Sequence, residues 1–243
     1  MPKGEMRLVV LAYKMLDISS EIADMAAYAA TQAGRETSCE KGCGACCRQL
    51  VPLSPPEAAM IYEFVLTMPV PQKQRVTATF SAAANQLIKD KELLKKIDNT
   101  NIRRLSRESY DAIAFHYFKK KIVCPFLVDE CCSIHAVRPS MCREYLVTSP
   151  PENCSSPEVK TINRLPVSIR LSEALAKTWA KISNQQVQLI PLVLALKWVS
   201  ANESVRSVGG DSRLLLRTML ATIKEGVQAY DAELSKMVNK QKK

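Results

Sequence analysis

The chain has 243 residues and a formal net charge of +10, with 47% hydrophobic and 24% charged residues. This balance is ordinary for a soluble globular protein with one large or two small domains. No apolar run approaches the roughly 20 residues that a membrane-spanning helix needs, which excludes that class from sequence alone. The excess of Lys and Arg permits a polyanionic partner without requiring one.

The nine cysteines are unusual because they are bunched and odd in number. They are too few for a disulfide scaffold, and a chain of this length can bury a core without disulfides. Residues 7–16 are apolar, but Lys14 interrupts them and no cleavage site follows, so we predict no signal peptide. We therefore expect a cytoplasmic protein, in which clustered cysteines bind metal or carry out redox chemistry.

Apolar residues spaced by three or four predict a first helix over residues 6–33, with Gly34 as its C-cap. A cysteine loop follows this helix. Ser54 and Glu57 then form a predicted capping box, which starts a second helix that runs to about Leu66.

Two further helices are predicted over residues 72–98 and 102–118. Basic residues are dense between Lys89 and Lys121. We interpret them as a solvated helical face in preference to a nucleic-acid-binding surface. Residues 122–135 are predicted to be irregular. A short helix should start at Arg138-Pro139, and residues 149–157 should form a proline-rich loop.

After Lys160 there are no cysteines, and helical patterns predominate over residues 168–182, 191–200 and 212–238. Asp211 or Ser212 is the predicted N-cap of the last helix. We therefore predict a mostly α-helical fold with a cysteine-cluster domain over residues 1–160. Residues 161–243 would form a helical region packed on it, or one continuous domain with it.

The first cysteine group has four members within nine residues, with two glycines among them that let the backbone turn tightly. Thiolates are the soft ligands that zinc and iron–sulfur clusters select, so both kinds of centre fit this loop. The members are Cys39, Cys43, Cys46 and Cys47, with Gly42 and Gly44 between them.

The second cysteine group lies about eighty residues downstream, and neither group has a clean self-contained ligand pattern. We therefore expect the two groups to meet in one site region. Adjacent side chains rarely reach one ion, so Cys46 and Cys47 favour either a spectator thiol or two neighbouring centres. Without Cys131, which we expect to be inert, the second group is Cys124, Cys132, Cys142 and Cys154.

Basic side chains flank the sulfurs in the sequence. Arg138 and Arg143 are the candidates for offsetting the negative charge of a thiolate-bound centre through hydrogen bonds. For Lys41 and Arg48, surface salt bridges are as good an explanation as charge compensation at the centre. His135 has a usable ligand spacing from the preceding cysteine, but we expect it to be structural, as we do His116; those two are the histidines of the chain.

Four motifs occur in order, namely Cys39-x3-Cys43-x2-Cys46-Cys47, Cys124-Pro125-Phe126-Leu127, Cys132-x-Ile134-x3-Arg138-Pro139-x2-Cys142-Arg143-x-Tyr145, and Cys154. Together they resemble the CxxxCxxCC family of zinc- or iron-chelating domains, the YkgJ-like cysteine-cluster proteins. The resemblance covers about half the chain and implies metal or iron–sulfur binding by the eight matching cysteines. Flagellin lysine N-methylases have a similar arrangement, which raises an enzyme alternative by analogy. Two positions depart from the family pattern, since His135 replaces the usual tyrosine and Cys131 is additional.

The sequence thus predicts a cysteine-ligated centre, and we favour an iron–sulfur cluster, of the 4Fe–4S type, over zinc. One alternative is a zinc-stabilised binding module whose basic helices hold a partner such as RNA. Another is a metal-dependent enzyme that modifies a protein side chain in a pocket of the C-terminal helices. A dithiol oxidoreductase ranks last, because no Cys-x2-Cys lies next to a βαβ pattern.

Overall fold

The computed structural model describes residues 4–99, 107–157 and 159–241, and within them the chain is mostly helical, as predicted. Before the second cysteine group, the elements are strand β1 (Glu5–Arg7), helix α1 (Leu8–Gln32), strand β2 (Pro52–Leu53), and helices α2 (Pro55–Thr67), α3 (Val70–Lys89), α4 (Lys91–Asn99) and α5 (Arg107–Lys119). The cysteine loop thus lies between α1 and β2.

The rest of the chain begins with two very short strands and two single-turn helices, and it ends with longer helices. Turns of 3-10 helix occur at His135–Val137, Leu192–Leu194 and Glu203–Arg206. The elements are strands β3 (Leu127–Val128) and β4 (Cys131–Cys132), helices α6 (Ser140–Arg143), α7 (Pro151–Cys154) and α8 (Leu171–Ser183), strand β5 (Ile190–Pro191), helix α9 (Ala195–Ala201), strand β6 (Gly209–Asp211) and helix α10 (Ser212–Gln241).

Helix α1 ends where the sequence predicts. Gly34 has a φ of +71°, and the backbone N–H of Arg35 donates to Ala30 while that of Gly34 donates to Thr31. This is a Schellman ending, which requires a residue that accepts positive φ. The chain therefore turns away from α1 just before the cysteine loop.

The predicted capping box of α2 is confirmed. The Ser54 hydroxyl accepts from the Glu57 backbone, and the Glu57 carboxylate accepts from Ser54. The helix stops at Thr67, because Pro69 disfavours helical geometry in the residue before it. Asp211 likewise caps α10, accepting hydrogen bonds from two backbone N–H groups of its first turn.

The single helix predicted over residues 72–98 is wrong, since the chain breaks at Asp90. This residue ends α3 and accepts from the Leu93 N–H at 2.9 Å, which caps α4. Its carboxylate also pairs with Lys120 at 2.5 Å and with His116 at 3.1 Å. The start of the helix predicted over residues 102–118 lies outside the described residues, and α5 accounts for the remainder.

The expectation of irregular structure over residues 122–135 is right for most of the segment, but it misses a short hairpin. Strands β3 and β4 pair antiparallel as a hairpin, and the two residues between them, Asp129 and Glu130, have φ of +49° and +58°. Two left-handed residues make the two-residue turn typical of hairpins, although neither residue is the usual Asn or Gly. The loop predicted over residues 149–157 contains the single turn α7.

Helix α2 packs at the centre of the molecule, against α1, α3, α8 and α9, while α8 also packs on α10. Strands from the two ends of the chain pair antiparallel, β1 with β6 and β2 with β5. One large hydrophobic core draws residues from both the cysteine-bearing part and the later helices. Of the helices described, none combines the length and the hydropathy that crossing a membrane would require.

Candidate metal centre

The first cysteine loop is a series of tight turns. The backbone N–H of Cys43 donates to Glu40, and that of Cys47 donates to Gly44. Gly42 has a φ of +90°, which side chains with a Cβ rarely adopt. Gly44 is needed for space, because a Cβ there would lie 2.3 Å from the Glu130 carbonyl oxygen. The loop therefore folds tightly and packs closely against the β3–β4 hairpin.

Backbone hydrogen bonds join the first loop to the second cysteine group. The N–H of Cys132 donates to Gly42 at 3.0 Å, and the N–H of Cys124 donates to Cys47 at 2.7 Å. Cys43 lies opposite Cys131 in an isolated antiparallel bridge. The expectation that the two groups meet in one region is confirmed by these contacts.

The segment that carries Cys154 is held to the same loop by side chains. Gln49 donates from Nε2 to the Cys154 carbonyl at 3.1 Å, and the Ser155 hydroxyl donates to the Ala45 carbonyl at 3.2 Å. Cys39 is also placed near later residues, with its Sγ 4.0 Å from the carbonyl oxygen of Tyr145. Both ends of the cysteine region thus contact each other.

The Cys47 thiol is the hub of a thiol network, because it lies within hydrogen-bond reach of Cys124, Cys132 and Cys46. These hydrogen bonds raise the pKa of Cys47 strongly. They lower the pKa of Cys132 to about 6 and that of Cys46 to about 7. Cys47 therefore keeps its proton, while Cys132 and Cys46 are the first of this network to become thiolates.

The other thiols fall into two neighbouring groups. Burial, together with the nearby Cys46, Cys39 and Cys43 thiols, raises the pKa of Cys154 to about 12. Burial likewise raises the pKa of Cys142, which lies near Cys46, Cys124 and Cys132. Assigning Cys46 to the first group gives two sets of four, namely Cys39, Cys43, Cys46 and Cys154, and Cys47, Cys124, Cys132 and Cys142.

All nine cysteines are free thiols, and Cys131 is the exposed one. Taking the described residues as they stand, no three His, Cys, Asp or Glu side chains are close enough together to hold a metal ion. The thiols therefore lie in one region, but they are not arranged around a single metal position.

Arg138 is a cation that acts on thiols of both cysteine groups. Its charge lowers the pKa of Cys132 and Cys46, although the contact with Cys47 is the larger cause at both. Its Nε is buried and has no hydrogen-bond acceptor among the described residues. A buried donor of this kind usually has a partner, so the site suits an anionic group that accepts from it.

Arg143 positions the segment around Arg138. It is buried, and it donates to the carbonyl of Arg138 at 2.9 Å, to the carbonyl of Ala136 at 2.7 Å, and to the Ser20 hydroxyl on α1. The guanidinium is thus occupied with protein oxygens. The structure gives Arg143 a positioning role, in which it fixes the backbone that carries Arg138.

The remaining polar candidates have structural contacts. Arg48 makes a two-pronged ion pair with Glu130 at 2.6 and 2.9 Å, which ties the first loop to the hairpin tip. His116 pairs with Asp90, as expected for a structural histidine. Burial, with Arg138 and Arg143 nearby, lowers the pKa of His135. Glu130 had no distinguishing sequence signal, because its partner is 82 positions away.

Comparison with known proteins confirms the resemblance to a family of zinc- or iron-chelating domains, while the YkgJ-like and methylase similarities stay predictions. The model of a family described as "CxxCxxCC: Putative zinc- or iron-chelating domain" matches residues 38–164, just over half of the chain. The matched span contains all nine cysteines, and the chain's own first spacing, Cys39-x3-Cys43, is one residue longer than the family label. No curated protein and no solved structure matches the chain.

Proposed function

Because the chain belongs to the CxxCxxCC family of zinc- or iron-chelating domains, we propose that its thiols bind iron–sulfur clusters, in preference to zinc. The eight ligands on this proposal are the two four-thiol sets defined above. Free thiols in this number fit a reducing compartment, so the proposal includes a cytoplasmic location.

The observation that carries the proposal is the buried Nε of Arg138, which has no acceptor among the described residues, on a side chain whose charge acts on Cys132 and Cys46. Four thiolates around Zn²⁺ or a doubly charged cubane leave net negative charge. A cluster adds sulfur acceptors to that charge, and hydrogen bonds to such sulfurs tune its reduction potential. The donor set therefore fits a thiolate-bound centre, and Arg138 would donate to it.

Two sets of four support two neighbouring centres. Cys46 and Cys47 are within hydrogen-bond reach of each other, and Cys46 also lies near Cys132 and Cys142, so the two sets adjoin. Cys47 contacts Cys124 and Cys132, whereas Cys46 is the one of the pair that acts on Cys154. Each set takes ligands from both cysteine groups, so each centre would join the first loop to the later segments. Binding would draw the thiols inward by side-chain rotation.

A bound cubane would supply one-electron redox chemistry, whereas zinc would supply a structural crosslink. The chain's own residues prepare the site in either case. The lowered pKa of Cys132 and Cys46 provides thiolates near neutral pH, and the ligands must be deprotonated before they bind.

The test is anaerobic purification from iron-supplemented cells, followed by iron, zinc and acid-labile sulfide analysis. The expected protein is brown, contains iron and sulfide, and bleaches in air. Zinc-replete, colourless and sulfide-free protein from those cells would contradict the iron–sulfur assignment and identify the centre as zinc. Aerobic preparations do not decide the matter, because a thiolate site usually binds zinc more tightly than ferrous iron.

Two matched variants test the ligand assignment. Cys43→Ser should lower the bound metal and the melting temperature, because metal affinity contributes to folding free energy. Cys131→Ser changes the same functional group at an exposed position outside the two sets, and it should keep the metal content. Equal metal content in both variants would contradict the assignment.

A further inference from the structure

Cys131 lies outside the two four-thiol sets, yet it is placed opposite one of their members. Cys43 and Cys131 are partners in an antiparallel bridge, and the neighbouring hydrogen bond runs from the N–H of Cys132 to Gly42. Because this hydrogen bond joins the flanking residues, Cys43 and Cys131 are a non-hydrogen-bonded pair of the antiparallel ladder. In such pairs the Cα atoms are about 4.5 Å apart, and both side chains lie on the same face.

This spacing suits a disulfide, whose Cα atoms are usually about 4.4–6.8 Å apart. Two contacts at Glu130 hold the strands beside the pair. Arg48 fixes Glu130, the residue before Cys131, through an ion pair, and Gly44 packs against the Glu130 carbonyl. The backbones of the two cysteines are therefore held opposite each other, at a spacing that a disulfide can bridge.

Exposure gives the pair access to a reagent. Cys131 is exposed and Cys43 is partly exposed, whereas Cys154 in the same set as Cys43 is buried. A small-molecule disulfide would therefore react first at Cys131.

We propose that Cys131 and Cys43 form a reversible regulatory disulfide, with glutathione disulfide as the class of oxidant. The Cys131 thiolate attacks one sulfur of the oxidant and releases one thiol, which leaves a mixed disulfide. The Cys43 thiolate then attacks the Cys131 sulfur and releases the second thiol. The two cysteines lose two electrons and two protons in total, and the oxidant gains them as two thiols.

The effect of this disulfide on metal binding rests on the proposed function, because it assumes that Cys43 is a metal ligand. A sulfur held in a disulfide is no longer a thiolate and cannot serve as one. Disulfide formation thus removes one of four ligands from the first set and releases its metal. Reduction by a dithiol restores both cysteines, so the pair is a redox switch on metal retention.

The test treats anaerobically prepared protein with glutathione disulfide and maps the linked peptides by tandem mass spectrometry. Cleavage after Glu130 separates Cys124 from Cys131 and simplifies the assignment. The expected major product is the Cys43–Cys131 disulfide, which a dithiol reverses. Glutathione retained on Cys131 without an internal link, or a link from Cys131 to another cysteine, would overturn the proposal.

Metal release provides the second measurement. Cys131→Ser should lose metal about tenfold more slowly than the wild type during the same treatment, because it lacks the thiol that reacts first with glutathione disulfide. Equal rates would contradict the switch. If the wild-type protein carries no metal at all, the proposed function fails, while disulfide mapping on the metal-free chain still decides whether the pair forms.

Discussion

One Glu57 oxygen accepts the backbone N–H of Ser140 at 2.8 Å, across 83 positions of sequence. The other oxygen accepts from the Ser54 backbone and hydroxyl in the capping box of α2. The carboxylate is fully buried. A single side chain therefore joins the start of α2 to the start of α6, the short helix that carries Cys142.

Replacing Glu57 by Ala should lower the free energy of unfolding by about 3 kcal/mol, because it leaves several buried donors without an acceptor. Chemical denaturation of the metal-bound protein measures this loss. Glu21→Ala, at an exposed position of α1, is the matched control and should change little. A loss for Glu57→Ala no larger than that of the control would mean that other acceptors replace the Glu57 carboxylate at the starts of α2 and α6.

The sequence predicted one half of this arrangement. Ser54 and Glu57 form a local motif with a fixed spacing, and local motifs are visible in a single sequence. The hydrogen bond to Ser140 is not visible in this way, because it depends on packing between distant segments. The same contrast holds for Gly34, whose role is local, and for Asp90, whose partner Lys120 is thirty residues away.

Gly44→Ala should weaken the docking of the first cysteine loop on the β3–β4 hairpin. The added Cβ would lie 2.3 Å from the Glu130 carbonyl oxygen and 2.4 Å from a Leu127 methyl carbon, so the two segments must separate. We expect a lower melting temperature and less bound metal, both measured on anaerobically prepared protein.

The matched control for that variant is Gly226→Ala, in α10. A Cβ there meets nothing within 4 Å, so the change should stabilise the helix by roughly 0.5–1 kcal/mol. The two variants make the same chemical change with opposite expected signs. Unchanged metal content and melting in Gly44→Ala would show that the hairpin can shift without disturbing the thiols.

Acid should weaken the contribution of Asp90. The hydrogen bond from Lys120, with that from the Leu93 N–H, lowers the pKa of Asp90 from its ordinary value of 3.8 to about 2. Because the folded-state value is depressed, the stabilisation is present above about pH 4 and is lost as pH falls through about 2. The stability difference between wild type and Asp90→Asn should therefore shrink over that window.

This difference is measured by urea denaturation at several pH values, with Asp24→Asn as an exposed control on α1. The control should show no comparable pH trend relative to the wild type. A difference between wild type and Asp90→Asn that stays constant from pH 4 to pH 2 would contradict the lowered pKa.

The candidate site was more predictable than its surroundings. Cysteine density and the two glycines identified the loop, and the absence of a self-contained pattern predicted that the groups meet. Sequence alone did not reveal the β3–β4 hairpin, because Asp129 and Glu130 adopt positive φ without being Asn or Gly. It therefore could not show that Cys131 lies opposite Cys43, or that Arg48 anchors the hairpin tip.

Arg138→Gln tests the cation of the site, since it removes the charge and the buried Nε donor while leaving Arg143 in place. Without that charge the bound thiolates repel one another more strongly, and the centre loses a hydrogen-bond donor. We expect metal affinity, measured by competition with a chelator, to fall by roughly 10–100-fold. Arg138→Lys keeps the charge and should give an intermediate value. Arg75→Gln, which removes an exposed charge on α3, should match the wild type. Wild-type affinity in a folded Arg138→Gln protein would show that the buried donor serves the fold and not the centre.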